Sequence, residues 1–221
     1  MKTFAITLGL IADIHGDLTA LESALALLQE KQVDSIVCAG DLVEKGEHGD
    51  AVVRMIRERD IPCVLGNHDE AAISNQKWLL ENADLNHPNM RGRLLAEDTL
   101  AYLRDLPRTL RFTYAGQRVL LVHGTPRSNV DYLLEQSMPD KFKESAHGAE
   151  ADAIIYGHTH SPLMAHFGDV RFYNPGSICI GGKIQRRCCA TLRLPDYTFT
   201  VFDLGTGQPV DVPSLGDAPR P

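Results

Sequence analysis

Short apolar runs alternate along the chain with stretches in which apolar residues recur at helical spacing. The runs predict strands at Thr3–Ile11, Ser35–Ala39, Ile61–Leu65, Arg118–Val122 and Ala153–Tyr156. Leu18, Leu21, Leu25 and Leu28 predict a helix after the first strand, and Val52, Met55, Ile56 and Arg59 predict a helix after the second. This strand–helix–strand alternation indicates an α/β fold with parallel strand pairing.

The rest of the pattern predicts two hairpins, a helical insertion and a tail. Thr109–Val122 and Arg187–Asp203 each contain two strand-like runs around a turn, which is the pattern of a hairpin. Residues 74–105 are polar and helical in pattern, and we expect them to form an insertion beside the functional site. We therefore predict one domain over residues 1–205, followed by a Pro/Gly-rich tail over 206–221 that wraps the surface or is mobile.

Charge and hydropathy exclude two classes of partner. The chain has 221 residues and a formal net charge of -7. Binding of a long nucleic acid depends on a basic surface, so we do not expect that partner. A small anionic substrate is still compatible with this charge, because bound dications reverse the local sign. No apolar run reaches the length of a membrane span, so we expect no membrane partner.

The cysteines indicate a reducing compartment. The chain contains five of them, at positions Cys38, Cys63, Cys179, Cys188 and Cys189, with no CxxC pair. The odd number is typical of reduced thiols in a cytoplasmic protein, and we expect Cys38 and Cys63 to be buried in the core. The oligomeric state stays open, although hairpin edges would allow a homo-oligomer.

Ionisable or amide side chains follow five of the predicted strands directly. The motifs are Asp13-Ile14-His15, Gly40-Asp41, Gly66-Asn67-His68-Asp69, His123-Gly124 and Gly157-His158-Thr159-His160. The first three motifs each have an ordinary structural explanation as a helix cap or a turn, whereas the histidine pair His158 and His160 is moderately specific for a metal by itself. Together they place imidazoles and carboxylates at the carboxyl ends of strands, where open α/β sheets bind ligands. This donor set suits divalent transition metals.

In order and spacing, these motifs resemble those of the calcineurin-like metallophosphoesterase superfamily. The resemblance extends from about Thr3 to Phe202. The segments 123–127, 157–162 and 174–177 look like the small bacterial and archaeal phosphodiesterase branch of this superfamily. The resemblance implies a four-layer sandwich of two mixed β-sheets flanked by helices, which agrees with the α/β alternation.

The resemblance also implies ligands for two divalent metal ions. Asp13, His15 and His160 would hold the first ion, Asn67, His123 and His158 the second, and Asp41 would bridge both. Two such ions can clamp the attacking and leaving sides of an in-line displacement, with a deprotonated bridging water as the nucleophile. Manganese is the metal we expect first, with iron, zinc, nickel or magnesium as alternatives.

Further residues are candidates for proton transfer and substrate binding. His68 would lie outside the metal ligands and act as a general acid, with either Asp69 or Glu44 orienting its ring. Lys45 stands where protein phosphatases of the superfamily have an Arg that grips phosphate, and Lys lacks the planar fork of Arg. Lys45 is thus either a substrate contact or an exposed loop residue, and Arg127 is either a phosphate contact or an ion-pair partner.

We therefore predict a metal-dependent phosphoric ester hydrolase that acts on a small phosphate ester. A phosphodiesterase for small or nucleotide-like substrates is the first hypothesis. A phosphomonoesterase or a dinucleoside polyphosphate hydrolase with the same metals is the alternative. A non-catalytic interaction scaffold of the same fold is a third reading, because fold alone does not imply function. The filled ligand positions and His68 argue against that scaffold.

Overall fold

The computed structural model describes residues 4–84, 87, 90, 92–137, 139–179 and 186–216. Within these ranges the helices are α1 (Leu18–Glu30), α2 (Gly49–Glu58), α3 (Asn67–Asn82), α4 (Glu97–Asp105) and α5 (Pro139–Ala146). The strands are β1 (Ile6–Ile11), β2 (Ser35–Cys38), β3 (Thr109–Tyr114), β4 (Gln117–Val122), β5 (Ala153–Ile155), β6 (Leu163–Phe167), β7 (Val170–Asn174), β8 (Cys188–Leu194), β9 (Thr198–Asp203), β10 (Pro209–Val210) and β11 (Ser214–Gly216). None of these helices is long and apolar enough to cross a membrane.

The strands form two mixed sheets. In the first sheet the order is β10-β9-β8-β1-β2, with β1 parallel to β2 and antiparallel to β8. In the second sheet the order is β11-β6-β7-β5-β4-β3, and the central strands β4, β5 and β7 run parallel. Both predicted hairpins are present as β3–β4 and β8–β9.

Alternating side chains of the strands build the layers. On β4, Val119 and Leu121 pack into the core between the two sheets, whereas Leu120 and Val122 pack into the core beneath α5. Helices α1 to α4 cover the other face of the first sheet. The order of layers is therefore helices, sheet, sheet and helix, which confirms the predicted four-layer sandwich.

The first helix illustrates how the sequence fixes these layers. Leu21, Leu25 and Leu28 lie on one face of α1 and are buried against the first sheet. Asp17 begins the helix by accepting a hydrogen bond from the Ala20 N–H at 3.0 Å. Burial of each leucine stabilises the fold by about 1.5–3 kcal/mol, so Leu21→Ala would be a strongly destabilising change.

The prediction of a strand at Ile61–Leu65 was wrong. This segment contributes only an isolated bridge between Cys63 and Cys38, two thiols that are buried in the core as predicted. Pro62 has no N–H to donate, and the Leu65 N–H turns away to the carbonyl of Pro107. A regular ladder with β2 therefore cannot propagate, although the segment still runs beside that strand.

The helical insertion begins earlier than predicted, and part of the predicted tail is paired with the two sheets. Helix α3 begins at Asn67, seven residues before the predicted insertion, and residues 85–86, 88–89 and 91 lie outside the described ranges. Residues 209–210 extend the first sheet as β10, and residues 214–216 extend the second sheet as β11. The domain boundary near residue 205 stays a prediction.

Candidate metal centre

The candidate ligands lie where the carboxyl ends of strands from both sheets meet. Strand β1 leads to Asp13 and His15, β2 to Asp41, β4 to His123, and β5 to His158 and His160. Hydrogen bonds join the sheets at this point. The His158 N–H donates to the Asp13 carboxylate at 3.1 and 3.2 Å, and His123 Nδ1 donates to the Ala39 carbonyl at 2.6 Å. The site is thus tied to both sheets.

The side chains form two clusters that share one carboxylate. Donor atoms of Asp13, His15, Asp41 and His160 lie within 4.8 Å of one another, and so do those of Asp41, His123 and His158. Asn67 joins the second cluster, since its Oδ1 lies 2.9 Å from His123 Nε2. All seven residues that the sequence suggested as metal ligands are therefore brought together.

The surroundings of the Asp41 carboxylate favour a bound metal ion. Its Oδ1 accepts a hydrogen bond from the His68 N–H at 2.9 Å. Its Oδ2 is buried and accepts no hydrogen bond from any part of the chain that the structure describes. This oxygen lies 3.6 Å from His15 Nε2 and 3.3 Å from His123 Nε2. A buried carboxylate oxygen without a partner is costly, and a divalent cation on each side of it would remove that cost.

The imidazoles are oriented so that a ring nitrogen faces the clusters. His15 Nδ1 lies 3.3 Å from the carbonyl of Val43, and His158 Nε2 lies 3.2 Å from the carbonyl of Val130. A carbonyl accepts the N–H of each ring and leaves the lone pair on the other nitrogen. The Nε2 atoms of His15 and His160 converge to 3.1 Å. Such an arrangement suits two neutral imidazoles that share one cation.

Burial favours the neutral form of most groups in the clusters. Burial lowers the pKa of His15 to about 3 and the pKa values of His158 and His160 to about 4 each. Burial also raises the pKa of Asp13 to about 8, against the opposing influence of the His123 imidazole. Neutral imidazole is the form that binds a metal ion, so three of the four rings are already in the ligand form.

Asp41 and His123 behave as a charged pair instead. Burial alone would raise the pKa of Asp41, but the neighbouring His123 imidazole outweighs burial and holds this pKa below its ordinary value. Burial alone would likewise lower the pKa of His123, yet the Asp41 carboxylate raises it to about 9. The protein by itself thus places one positive charge beside Asp41, in the position that a cation would take.

The backbone around the clusters is strained in a consistent way. Positive φ angles occur at Asp13 (55°), His15 (50°), Asp41 (58°), Glu44 (64°), Lys45 (67°), His158 (66°) and His160 (57°). Such angles are uncommon for residues other than glycine and collect at functional sites. Close packing adds to this, because a Cβ on Gly66 would lie 2.1 Å from Asp41 Oδ1. The loops are therefore shaped for the positions of their side chains.

Asp69 holds the Asp41 loop and does not pair with His68. Its carboxylate accepts four backbone N–H bonds of 2.7–3.1 Å, from Gly66, Asp41, Leu42 and Val43. Burial and the nearby Asp41 charge raise the pKa of Asp69 to about 6. Asp69 is fully buried at the third position of α3, where a carboxylate caps the helix start.

Glu44 contacts the ring of His68. Of the two carboxylates that the sequence left open as its partner, Glu44 and Asp69, the structure places Glu44 there. Glu44 Oε2 lies 2.7 Å from His68 Nδ1, and both side chains are partly exposed. The His68 ring stands edge-on to the ring of His15, at a centroid distance of 4.8 Å. His68 thus borders the first cluster without belonging to it.

Lys45 and Arg127 occupy different environments. Lys45 is an exposed loop residue, yet its Nζ lies 2.8 Å from His15 Nε2, so its ammonium group borders the first cluster. Arg127 is exposed on the loop after β4, where it borders a pocket of about 150 Å³ next to Tyr132. Lys45 is therefore placed to meet a group bound at the cluster, whereas Arg127 borders the pocket next to Tyr132.

Sequence reasoning assigned no role to two residues near the site. Asn174 ends β7 and donates to the Gly157 carbonyl at 2.8 Å and to Thr159 Oγ1 at 3.0 Å, so it fixes the loop of His158 and His160. Its position at a strand end was a signal that could have found it. Tyr132 stacks on His158 with ring centroids 4.2 Å apart. No local sequence pattern predicts that contact.

The fold and the site define a class of metal-dependent hydrolases, and comparison with known families agrees. The sequence model of the calcineurin-like phosphoesterase superfamily domain matches residues 6–196. The chain belongs to this superfamily, as the motifs predicted, and is a metal-dependent phosphoric ester hydrolase.

Three similar proteins illustrate the range of the superfamily. A metallophosphoesterase structure from Sphaerobacter thermophilus has 24% identity and a TM-score of 0.73, and the match covers 90% of this chain and 88% of that one. A phosphodiesterase from Methanocaldococcus jannaschii is 23% identical over 177 residues, which are 78% of this chain and 84% of the relative. A symmetrical bis(5'-nucleosyl)-tetraphosphatase from Baumannia cicadellinicola is 30% identical over 131 residues, which are 57% and 45% of the two chains.

Proposed function

We propose that this protein is a binuclear phosphodiesterase that hydrolyses small or nucleotide-like phosphodiesters. The observation that carries the proposal is Asp41, whose buried Oδ2 accepts no hydrogen bond from the described residues and belongs to both clusters of candidate ligand side chains. Asp13, His15 and His160 would hold one cation, and Asn67, His123 and His158 the other. Their imidazole, carboxylate and amide donors suit manganese first among the divalent metals.

Cations held there would polarise the phosphoryl oxygens and lower the pKa of water. The protein itself contributes orientation at this point. The carbonyls of Val43, Ala39 and Val130 fix the rings of His15, His123 and His158, respectively. Such outer contacts hold ligand atoms in place before a cation binds.

His68 supplies the proton that the leaving group needs. Its Nδ1–H donates to Glu44, and this hydrogen bond orients the ring with Nε2–H directed away from Glu44. As the bond between phosphorus and the leaving oxygen breaks, the proton passes from Nε2 to that oxygen. The partial exposure of His68 leaves room for an ester group to reach it.

Charge at the first cluster favours a diester over a monoester. A monoester carries about two negative charges near neutral pH, and a planar Arg fork is the side chain best suited to share them. Lys45 offers a single ammonium group instead, and Arg127 is exposed on the loop after β4. A diester carries one negative charge, so it needs less positive charge from the side chains around it. The similarity to an archaeal phosphodiesterase supports the same preference.

Hydrolysis of a dinucleoside polyphosphate is the second candidate. The observation in its favour is the 30% identity to a bis(5'-nucleosyl)-tetraphosphatase. Such a substrate also has two arms and would use the same ligand side chains. It carries several negative charges, however, and Lys45 and Arg127 provide few cations to meet them.

The test compares kcat/KM with Mn²⁺ for bis-p-nitrophenyl phosphate, p-nitrophenyl phosphate and a dinucleoside tetraphosphate. The first two share their leaving group, so their ratio reports the preference of the site once intrinsic reactivity is subtracted. We expect the diester to be preferred. An advantage of about tenfold for the monoester, or ~1.4 kcal/mol, would overturn the proposal. The predicted cytoplasmic location and homo-oligomeric state are separate proposals that this test does not address.

A further inference from the structure

Tyr132 presents an open aromatic face beside the second cluster. Its ring lies nearly parallel to the His158 ring, with centroids 4.2 Å apart and an angle of 25°. About half of the side chain, 49%, is nevertheless exposed. One face of the ring is thus covered by a candidate metal ligand, while exposed surface remains for a second flat group. Proton delivery by His68 and cation binding leave this surface unused.

The loop that carries Tyr132 is fixed in place on both sides. Before it, Asn129 is buried and donates to Glu70 Oε2 at 3.1 Å. After it, Leu133 is buried and its carbonyl accepts a hydrogen bond from the Tyr156 hydroxyl at 3.2 Å. Between them, the Val130 carbonyl lies 3.2 Å from His158 Nε2. Binding to the ring would therefore need little ordering of the loop.

Tyr132 and the proposed proton donor contact different ligand rings. His68 stands next to His15, in the first cluster, at a centroid distance of 4.8 Å. Tyr132 lies on His158, which is 4.9 Å from His123 in the second cluster. The leaving group must be within reach of His68 to receive its proton. Because Tyr132 contacts a different ligand ring from His68, we assign the ester arm that stays on phosphorus to the side of Tyr132.

We infer that Tyr132 selects substrates in which this retained arm carries a planar aromatic ring, either an aryl group or a nucleobase. The inference rests on the proposed phosphodiesterase function and deepens it. A flat ring would stack on the exposed face of Tyr132, as bases stack on aromatic side chains in other sites. A pocket of about 150 Å³ adjoins the ring and is lined in part by Arg127, Lys141 and Glu144, which can meet polar edges of the arm.

The experiment varies the retained arm and keeps p-nitrophenol as the leaving group. The substrates are methyl p-nitrophenyl phosphate, bis-p-nitrophenyl phosphate and the p-nitrophenyl ester of thymidine 5'-monophosphate, assayed with Mn²⁺. Tyr132→Leu keeps an apolar side chain on His158 but removes the aromatic face. We expect kcat/KM to fall about tenfold for the two ring-bearing substrates and less than about twofold for the methyl ester. Tyr132→Phe should retain wild-type preference, and Val130→Ala, which alters the same loop, should show no dependence on the arm.

Two further measurements separate stacking from simple support of His158. The metal content of each purified variant is determined, and binding of thymidine 5'-monophosphate and methyl phosphate is followed by calorimetry. We expect unchanged metal content and weaker binding of the thymidine compound alone. Equal losses on all three substrates, or loss of metal from Tyr132→Leu, would overturn the inference while leaving the phosphodiesterase proposal intact. Failure of the wild-type protein to hydrolyse any of the diesters would overturn both. A selective loss for only one ring-bearing arm would identify that arm as the preferred class.

Discussion

The two halves of the site share Asp41 but have different neighbours. Around the first cluster the neighbours are ionisable: Lys45 Nζ is 2.8 Å from His15 Nε2, and His68 stands beside the same ring. Around the second cluster the neighbours are an aromatic ring and an exposed loop, since Tyr132 covers His158 and Val130 is 56% exposed. The donor atoms of the two halves are similar, so a difference in function between them would come from the neighbouring residues. We propose that the first half delivers the proton and that the second receives the retained arm.

Among residues outside the candidate ligands, replacement of His68 is expected to have the largest effect on rate. His68→Ala should keep both clusters intact, because only the backbone N–H of His68 bonds to Asp41. Loss of the proton donor should lower kcat by roughly 10²–10⁴-fold for an alkyl leaving group. The loss should be much smaller for p-nitrophenol, which needs no proton to leave. Rates for both leaving groups provide the measurement.

Glu44→Gln is the matched control, because it retains the shape of the side chain but removes the charge that stabilises protonated His68. It should show a smaller loss with the same dependence on the leaving group. If His68→Ala lost equal activity on both leaving groups, His68 would not be the acid, and the first half would have no proton donor.

Replacement of Asp69 should break both halves together. Asp69→Ala leaves four backbone N–H groups of the Asp41 and Gly66 loops without their buried acceptor. We expect the free energy of unfolding to fall by about 3–5 kcal/mol, since each unsatisfied buried group costs about 1–3 kcal/mol and the loops can partly relax. Urea denaturation provides the measurement. Glu81→Ala, at an exposed position of the same helix, should change stability little, and equal stability of the two variants would refute this role of Asp69.

The smallest effect is expected at Lys45. Lys45→Arg would introduce a planar fork at the first cluster and should shift the ratio of diester to monoester kcat/KM towards the monoester by a few-fold. Lys45→Met, which has similar length but no charge, should lower activity on both substrates. An unchanged ratio in Lys45→Arg would mean that charge at the first half does not set the preference.

The sequence indicated where the candidate ligands would come together because their positions depend on local patterns. A buried strand followed directly by Asp, Asn or His places that side chain at the sheet edge, and this holds for Asp13, Asp41, His123 and His158. The choice between Asp69 and Glu44 as the partner of His68 could not be made in this way. It depends on positive φ angles at Glu44 and Lys45, which return the loop to α3.

Contacts between distant segments were equally inaccessible from the sequence. Tyr132 reaches His158 because Asn129 and Leu133 anchor its loop to other elements, and no periodicity records such anchors. The strand predicted at Ile61–Leu65 failed for a related reason. Its apolar pattern is that of a buried strand, but Pro62 and the bond from Leu65 to Pro107 interrupt the ladder.

The number of bound cations tests most directly whether the two halves share Asp41. Wild-type protein, His158→Ala and Asp41→Ala are loaded with Mn²⁺, freed of excess metal and subjected to elemental analysis. We predict about two ions per chain in the wild type, about one in His158→Ala, and loss from both halves in Asp41→Ala together with loss of hydrolysis. An Asp41→Ala protein that still holds two ions and hydrolyses diesters at the wild-type rate would contradict the account.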